Sequence, residues 1–252
     1  MDVYVVTGGS AGIGQSAAIH LAQRGAGVIL TYRSHPEGAE ATLAAIREAG
    51  GTAVALPLDL GDPASFPAFR AAVATALAET FGAERLAGLL NNGGFGGGVA
   101  FESITEPEVD RYYDVHFKGP YLLTQALLPL LADGSAILST SSSSVRPGDT
   151  EPGFSVYAGM KAALITASRF LAKELAPRGI RVNTIAPGPT RTRLGDDGFE
   201  RFPEVIPALV ARTALGRLGE PDDIGAVMAF LLSADAAWIT GQDIQVSGGY
   251  AL

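Results

Sequence analysis

Short apolar runs alternate along the chain with longer stretches in which apolar residues recur every three or four positions. Most of the short runs are apolar on both faces, which is typical of parallel strands covered by helices. The predicted strands are residues 3–7, 27–32, 53–58, 86–91, 135–141, 181–186 and 243–246. The longer stretches predict helices over residues 13–24, 39–49, 66–81, 109–131 and 157–176.

This alternation predicts an α/β fold of the Rossmann type, a doubly wound parallel sheet of about seven strands with helices on both faces. No linker, low-complexity tract or shift in composition divides the sequence, so a single domain over residues 1–252 is expected. Folds of this type bind ligands at the carboxyl ends of the strands, where the chemistry should be sought.

Composition narrows the classes of function. The 252 residues carry a formal net charge of −8, which argues against a nucleic-acid partner, and the absence of cysteine excludes disulfides, thiolate metal sites and a cysteine nucleophile. No metal site is predicted. No apolar run approaches the roughly 20 residues that span a membrane, and the first strand leaves no room for a secretory leader. We therefore expect a cytoplasmic enzyme or binding protein with a small-molecule partner.

The first predicted strand runs directly into a glycine-rich turn that is followed by a helix. The turn contains Gly8, Ser10, Gly12, Ile13 and Gly14. Glycines allow a tight turn and a close approach to a pyrophosphate, and the helix N-terminus offers free N–H groups and a positive dipole end. Glycine-rich loops are often only turns, but the flanking strand and helix favour a dinucleotide site.

The end of the second strand bears on which dinucleotide is bound. No carboxylate stands there to bind a ribose 2′-hydroxyl, and Arg33 is available to pair with a 2′-phosphate. This favours NADP(H), although Arg33 could instead be a surface residue. NAD(H) stays possible because Ala11 supplies no second cation in the first turn.

Tyr157 and Lys161 lie four residues apart in a predicted helix and therefore on one face. A neighbouring cation lowers the pKa of a phenol from about 10, and the pair could then exchange a proton with an alcohol oxygen. Alone, such a pair is usually a solvated helix face.

Several other motifs, which occur in a fixed order along the chain, indicate a function for this tyrosine–lysine pair. They are Thr7-Gly8-x-x-x-Gly12-x-Gly14, Asn91-Asn92-Gly93-Gly94, a strand ending in serines, Tyr157-x-x-x-Lys161 and Pro187-Gly188. With them the chain resembles the short-chain dehydrogenase/reductase family, in particular its 3-oxoacyl-ACP reductase-like members, over nearly its whole length. The resemblance implies a nicotinamide cofactor, hydride transfer between alcohol and carbonyl, and a homotetramer.

The resemblance also implies roles for single residues. Tyr157 becomes the acid/base, and Lys161 holds the nicotinamide ribose and lowers the pKa of Tyr157. The other implied cofactor contacts are Gly8, Ser10, Ile13 and Gly14 at the pyrophosphate and adenosine side, Asp59 and Leu60 at the adenine, Asn91 and Gly93 along the adenosine ribose, and Pro187 and Thr192 at the carboxamide. Taken separately, Asp59 could be a helix cap and Pro187-Gly188 a simple turn.

The serine that polarises the substrate oxygen has two candidates. Matching the strand selects Ser142, whereas the family's common spacing of thirteen residues before Tyr157 selects Ser144. Ser142 is preferred, because burial fixes the register of a strand while the following loop can absorb an insertion.

His116 stands where the family usually has a catalytic Asn that acts largely through its backbone carbonyl. Pro120 has no N–H to donate to the carbonyl of residue 116, and Gly119 eases the resulting kink. An ordered water is the natural partner for that carbonyl. We therefore expect the water relay from Lys161 to persist with His116; the alternative is a packed histidine without a role.

The sequence constrains the identity of the substrate less than that of the cofactor. Candidate walls are residues 95–99, 143–154 and 189–202, the last a possible mobile lid that includes Gly195 and Asp196. Three arginines could meet an anionic substrate or balance surface acids: Arg191, Arg193 and Arg201.

The leading hypothesis is an NADP(H)-dependent carbonyl reductase or alcohol dehydrogenase. An NAD-dependent secondary-alcohol dehydrogenase and a non-catalytic dinucleotide sensor are the alternatives, and the intact Tyr157 and Lys161 weigh against the sensor. Helices 109–131 and 157–176 carry more apolar positions than one buried face needs, which favours association through them.

Overall fold

The computed structural model describes the backbone of residues 1–252 and all side chains except those of residues 194–196. Seven parallel strands form one sheet in the order β3-β2-β1-β4-β5-β6-β7. Their bounds are β1 Val3–Val6, β2 Gly27–Tyr32, β3 Thr52–Pro57, β4 Leu86–Asn91, β5 Leu131–Thr140, β6 Arg181–Pro187 and β7 Asp243–Val246. The predicted Rossmann-type sheet is confirmed.

Helices cover both faces of the sheet. They are α1 Gly12–Gln23, α2 Pro36–Glu48, α3 Phe66–Phe81, α4 Glu106–Tyr113, α5 Gly119–Leu127, α6 Ser155–Glu174, α7 Leu194–Arg201, α8 Ile206–Ala211 and α9 Pro221–Leu232. A π-helix, Asp114–Lys118, joins α4 to α5. No helix in the described part of the chain is both long and apolar enough to cross a bilayer.

The strand pattern explains why two layers of helices are needed. Consecutive strand residues point to opposite faces, and Val5 and Val6 of β1 are both fully buried. Val6 belongs to the core beneath α1, α2 and α9, and Val5 to the core beneath α3, α5 and the end of α6. The chain order reverses between β1 and β4, so the carboxyl ends of those strands flank a crevice.

The predicted helix over residues 109–131 is wrong in its continuity and its end. The π-helix interrupts it, and a 3₁₀ turn at Leu128–Leu130 ends it, because Pro129 has no N–H with which to continue the helix. Leu131 is instead the first residue of β5, four positions before the predicted start. A register shift between Leu86 and Gly88 of β4 accommodates this early start.

Candidate active site

The glycine-rich turn after β1 is closely packed against the loop after β4. Gly8 has a φ of +67°, and a Cβ built on it would lie 2.8 Å from Cα of Gly93. A Cβ on Gly14 would lie 2.3 Å from the carbonyl oxygen of Gly8. Thr7 Oγ1 accepts hydrogen bonds from the backbone N–H groups of Asn92 (2.8 Å) and Gly93 (2.9 Å). Larger residues at these glycines would push the two loops apart.

Helix α1 begins directly after this turn, and no side chain caps its N-terminus. Ala11 provides no side-chain cap, and the first turn contains no acidic residue. The first N–H groups of the helix therefore have no intrahelical acceptor and face the crevice with the positive end of the dipole. Ser10 makes no side-chain hydrogen bond to any described residue, and Ile13 is half-buried. This donor set fits a pyrophosphate group.

The segment after β6 lies against the same turn. A Cβ built on Gly12 would lie 3.3 Å from Cβ of Thr192. Pro187 ends β6 opposite Val246, and the next residue, Gly188, donates its N–H to Val246 at 3.2 Å. The crevice is therefore bounded by the glycine-rich turn on one side and by this segment on the other.

The residues predicted at the adenosine end have different surroundings. Leu60 is buried, and its Cδ1 would lie 3.0 Å from a Cβ on Gly93, which places it at the crevice. Asp59 is exposed and accepts a hydrogen bond from the N–H of Gly61 at 2.8 Å, so it stabilises its own turn. Asn91 is buried and donates from Nδ2 to Thr124 at 3.0 Å, towards α5. Its Oδ1 is buried and has no hydrogen-bond partner among the described residues.

Arg33 lies directly after β2 and is exposed. It makes no hydrogen bond or ion pair with any described residue, so its guanidinium is available to a ligand. Two residues further on, Nε2 of His35 lies 2.9 Å from the guanidinium of Arg193 and accepts its hydrogen bond in the tautomer protonated at Nδ1. That contact joins the loop after β2 to the segment after β6.

Lys161 is anchored at the end of β5. Its Nζ donates a 2.7 Å hydrogen bond to the backbone carbonyl of Thr140, and the residue is 5% exposed. Burial lowers the pKa of Lys161 to about 8. The ammonium lies 5.6 Å from the ring centre of Tyr157, one turn earlier on α6, so the predicted common face is confirmed.

That Lys161 lowers the pKa of Tyr157 stays a prediction, and burial acts on this phenol in the opposite direction. Burial raises the pKa of Tyr157 to about 12, and the neighbouring side chain of Ser142 offsets only part of that effect. The ammonium of Lys161 donates to the carbonyl of Thr140 rather than to the phenol. Tyr157 therefore holds its proton throughout the neutral range.

Of the two candidate serines, Ser142 is the one whose side chain is close enough to Tyr157 to lower the pKa of the phenol. Ser144 lies behind it and donates from its hydroxyl to Oγ of Ser142 at 2.9 Å, while its backbone N–H approaches the same oxygen at 3.2 Å. Ser142, Tyr157 and Lys161 thus meet at the carboxyl end of β5.

His116 lies within an aromatic cluster next to Tyr157. Its ring centre is 4.6 Å from that of Phe95, 5.2 Å from Tyr157 and 5.8 Å from Tyr112, and the residue is 2% exposed. Burial lowers the pKa of His116 to about 2, and neither ring nitrogen hydrogen-bonds a described residue. The imidazole is therefore neutral at every physiological pH.

The backbone around His116 departs from α-helical geometry at the expected place. Within the π-helix Asp114–Lys118, Gly119 donates its N–H to the carbonyl of Asp114, five residues earlier. Pro120 leaves the carbonyl of His116 without its α-helical donor. Single π-turns of this kind often lie at functional sites.

Sequence reasoning missed three contributors to the site. Tyr112, four residues before His116, could have been found from the helical spacing. Thr140 acts through its backbone carbonyl, which no side-chain pattern reveals. Thr7 was seen as part of a motif, but not as the residue that ties two loops together.

A cavity of about 680 Å³ adjoins the site. Its walls come from the loop after β4 and from residues 144–158, which overlap two of the three predicted segments. Val99 donates its N–H to the carbonyl of Gly153 at 2.9 Å and so joins these two parts of the chain. The third segment, residues 189–202, does not line this cavity in the described part. Gly195 and Asp196, named for the lid, lie outside the described side chains.

The three arginines considered for an anionic substrate have other contacts. Arg191 pairs with Glu220 at 3.4 Å, and Arg193 pairs with Asp197 at 3.4 Å. Arg201 packs over the ring of Phe202. These contacts favour the surface-pairing interpretation.

Comparison with known proteins agrees with this geometry. Residues 8–251 match the family model described as enoyl-(acyl carrier protein) reductase. An oxidoreductase of Methylorubrum extorquens is 42% identical over 98% of this chain and 96% of its own length.

Two solved structures are also similar. The promiscuous reductase LugOII, which catalyses keto-reduction at C1 during lugdunomycin biosynthesis, has a TM-score of 0.94 and 36% identity, covering 100% of this chain and 98% of that one. The angucycline C-6 ketoreductase LanV with bound NADP has a TM-score of 0.91 and 34% identity, covering 98% and 95%.

Proposed function

The chain belongs to the short-chain dehydrogenase/reductase family and is an oxidoreductase, and from that premise we propose that it is an NADP(H)-dependent reductase of ketones or aldehydes. The observation that carries this proposal is the meeting of Ser142, Tyr157 and Lys161 beside a crevice that fits a dinucleotide. The NADP bound to LanV supports the choice of cofactor, together with the unpaired Arg33.

The nicotinamide, when bound, supplies the hydride that reaches the carbonyl carbon. Ser142 donates a hydrogen bond to the carbonyl oxygen and polarises it, while keeping its own proton. Tyr157, which is protonated at neutral pH because burial raises its pKa to about 12, transfers its proton to the oxygen as negative charge develops there. Lys161, whose pKa is about 8, holds the ribose hydroxyls and resupplies the proton.

The first test is consumption of NADPH and of NADH with a panel of ketones and aldehydes, together with the binding of each cofactor. Turnover of a carbonyl compound with NADPH is the expected result. Turnover only of secondary alcohols with NAD would favour the NAD-dependent alternative. Cofactor binding without any turnover would contradict the proposal.

Arg33→Asp tests the cofactor preference. Removing the guanidinium and adding a carboxylate should weaken NADPH binding by about tenfold or more, since a charge-assisted phosphate contact is lost, and leave NADH binding intact. The measurement is the Kd of each cofactor. Arg47→Asp, a matched exposed change on α2, should alter neither. Equal weakening for both cofactors would remove the proposed role of Arg33.

Ser142→Ala and Ser144→Ala separate the two serines. Loss of the hydroxyl that contacts the substrate should lower kcat/KM by about 100-fold, within the range for one preorganised donor. Ser144 reaches the site only through Ser142, so its loss should cost much less. A larger loss for Ser144→Ala would select Ser144 as the polarising residue.

We also propose that the backbone carbonyl of His116 holds a water that links Lys161 to solvent. Pro120→Ala would give that carbonyl an α-helical donor and should slow proton transfer, by less than the roughly 100-fold typical of a lost acid–base group. Pro107→Ala in the first turn of α4, where the N–H has no intrahelical partner, is the control. An unchanged kcat and pH profile for Pro120→Ala would leave His116 a packing residue.

Assembly as a homotetramer is also proposed. Tyr113, Phe117 and Tyr121 form an outward ladder with ring centres 5.9 and 6.0 Å apart, and Phe170 on α6 is 67% exposed. Exposed aromatic side chains on two neighbouring helices are typical of a subunit contact.

A further inference from the structure

The cavity beside the site is lined by neighbours of the proposed reacting groups. Ser144, whose hydroxyl donates to Ser142, lines it, as does Ala158, the neighbour of Tyr157. Its volume of about 680 Å³ falls in the range of roughly 300–1,000 Å³ that small-molecule sites occupy. A carbonyl compound bound to Ser142 would therefore extend its body into this space.

Much of the cavity wall is apolar and partly aromatic. Phe154 and Phe101 both line it, together with Pro152. Gly98 packs so closely on Phe154 that an added Cβ would lie 3.1 Å from the ring, and Phe154 lies edge-on to Tyr157 with ring centres 6.2 Å apart. Phe101 is 83% exposed and stands at the rim. Such walls suit a flat apolar or aromatic body.

The charged residues that line the cavity all have the same sign. They are Glu102, Asp149 and Glu151, and no lysine or arginine is among the described lining residues. Asp149 is 6% exposed and accepts a 2.7 Å hydrogen bond from Ser143, while Glu151 is paired with Arg212 outside the lining.

Glu102 differs from the other two carboxylates because nothing neutralises it. It is exposed at the rim beside Phe101 and makes no hydrogen bond or ion pair with any described residue. An incoming anion would meet this charge first, on a protein of formal net charge −8.

We infer that the cavity takes ketones or aldehydes with an uncharged or cationic apolar body and discriminates against carboxylated or phosphorylated ones, including phosphopantetheine-linked acyl groups. This inference rests on the proposed function for the position of the reacting carbonyl. An anionic group of the substrate, whether inside the cavity or at its rim, would meet the carboxylates without a compensating cation among the described lining residues. Binding sites exclude unwanted ligands by such like-charge repulsion.

The test uses 2-acetylnaphthalenes that carry a methyl, a trimethylammonium or a carboxylate group at the same distal position. With NADPH, kcat/KM for the carboxylate should be at least about tenfold below that for the methyl compound, and the trimethylammonium compound should not be penalised. Glu102→Gln should raise kcat/KM for the carboxylate relative to the methyl compound by about threefold. Glu79→Gln, an exposed matched change on α3 at the opposite edge of the sheet, should leave that ratio unchanged.

Binding of the same three compounds to the Tyr157→Phe variant, measured by calorimetry, separates this inference from the proposed function. The same order of affinity without turnover by the wild-type protein would support the inference and contradict the function. Turnover with equal or better use of the carboxylate would overturn the inference and leave the function standing. A ratio unmoved by Glu102→Gln, or no binding of any compound, would also overturn it.

Discussion

Replacing Tyr157 by phenylalanine should lower kcat by about 10²–10⁴-fold, the range that a positioned acid–base group contributes. The variant keeps the ring that packs against His116 and Phe154, so the fold and the binding of NADPH should survive. The measurements are single-turnover kinetics and the Kd for NADPH. Tyr113→Phe, which removes the hydroxyl of a 41% exposed tyrosine on α4, is the matched control. It should change neither kcat nor the Kd for NADPH.

The pH dependence sharpens this expectation. Because burial raises the pKa of Tyr157 to about 12, reduction by the wild-type protein should lose no activity through this group between pH 6 and pH 9. A decline with rising pH near 8 should instead follow Lys161, whose pKa is about 8. Wild-type activity that is retained within a few-fold in Tyr157→Phe would contradict the acid–base assignment.

Lys161→Met should produce the second large effect, with a loss of activity and a gain of stability in one variant. Loss of the ammonium should lower kcat by about 100-fold or more, since the ribose contact and the proton supply that we propose both depend on it. The stability effect has the opposite sign, because the folded chain disfavours the charged form of this buried lysine.

The sign and pH window of the stability effect follow from linkage. The pKa falls from 10.5 in the unfolded chain to about 8 in the folded one, so the unfolded chain binds more protons between these values and stability rises with pH there. The penalty is complete below about pH 8 and absent above about pH 10.5. At pH 7 it amounts to about 3 kcal/mol, which Lys161→Met should recover in part.

Denaturant unfolding at pH 7 and pH 10 measures this difference. The gain in the free energy of unfolding should be larger at pH 7 and should shrink at pH 10. Lys173→Met, an exposed change on the same helix, should show no such pH-dependent gain. A gain that does not vary with pH would mean that packing, and not the charge, causes it.

The order of strands and helices could be predicted because both faces of the sheet are buried, which leaves a readable apolar pattern in each strand. The preference for Ser142 over Ser144 followed from the same physics, since a buried strand cannot slip by one residue without exposing its core face. The choice itself stays a prediction, which the Ser142→Ala and Ser144→Ala variants test.

Other features depend on quantities that spacing does not contain. The four-residue interval between Tyr157 and Lys161 gives their common face but not how far each is removed from water, and burial decides the pKa of both groups. The contribution of Thr140 was invisible because its carbonyl group is common to every residue. The end of the helix before β5 was missed because Leu131 continues an apolar pattern across Pro129.

The π-helix between α4 and α5 has a consequence for how this region can change in evolution. It holds one more residue per turn than its neighbours need, and each α-helical residue turns the chain by about 100°. Deleting one residue within 114–118 would rotate all of α4 by that angle, which would carry Tyr112 away from Phe95 and His116. No single substitution can imitate that rotation, so a different orientation of α4 beside Tyr157 is expected only in homologues with a one-residue insertion or deletion in this segment.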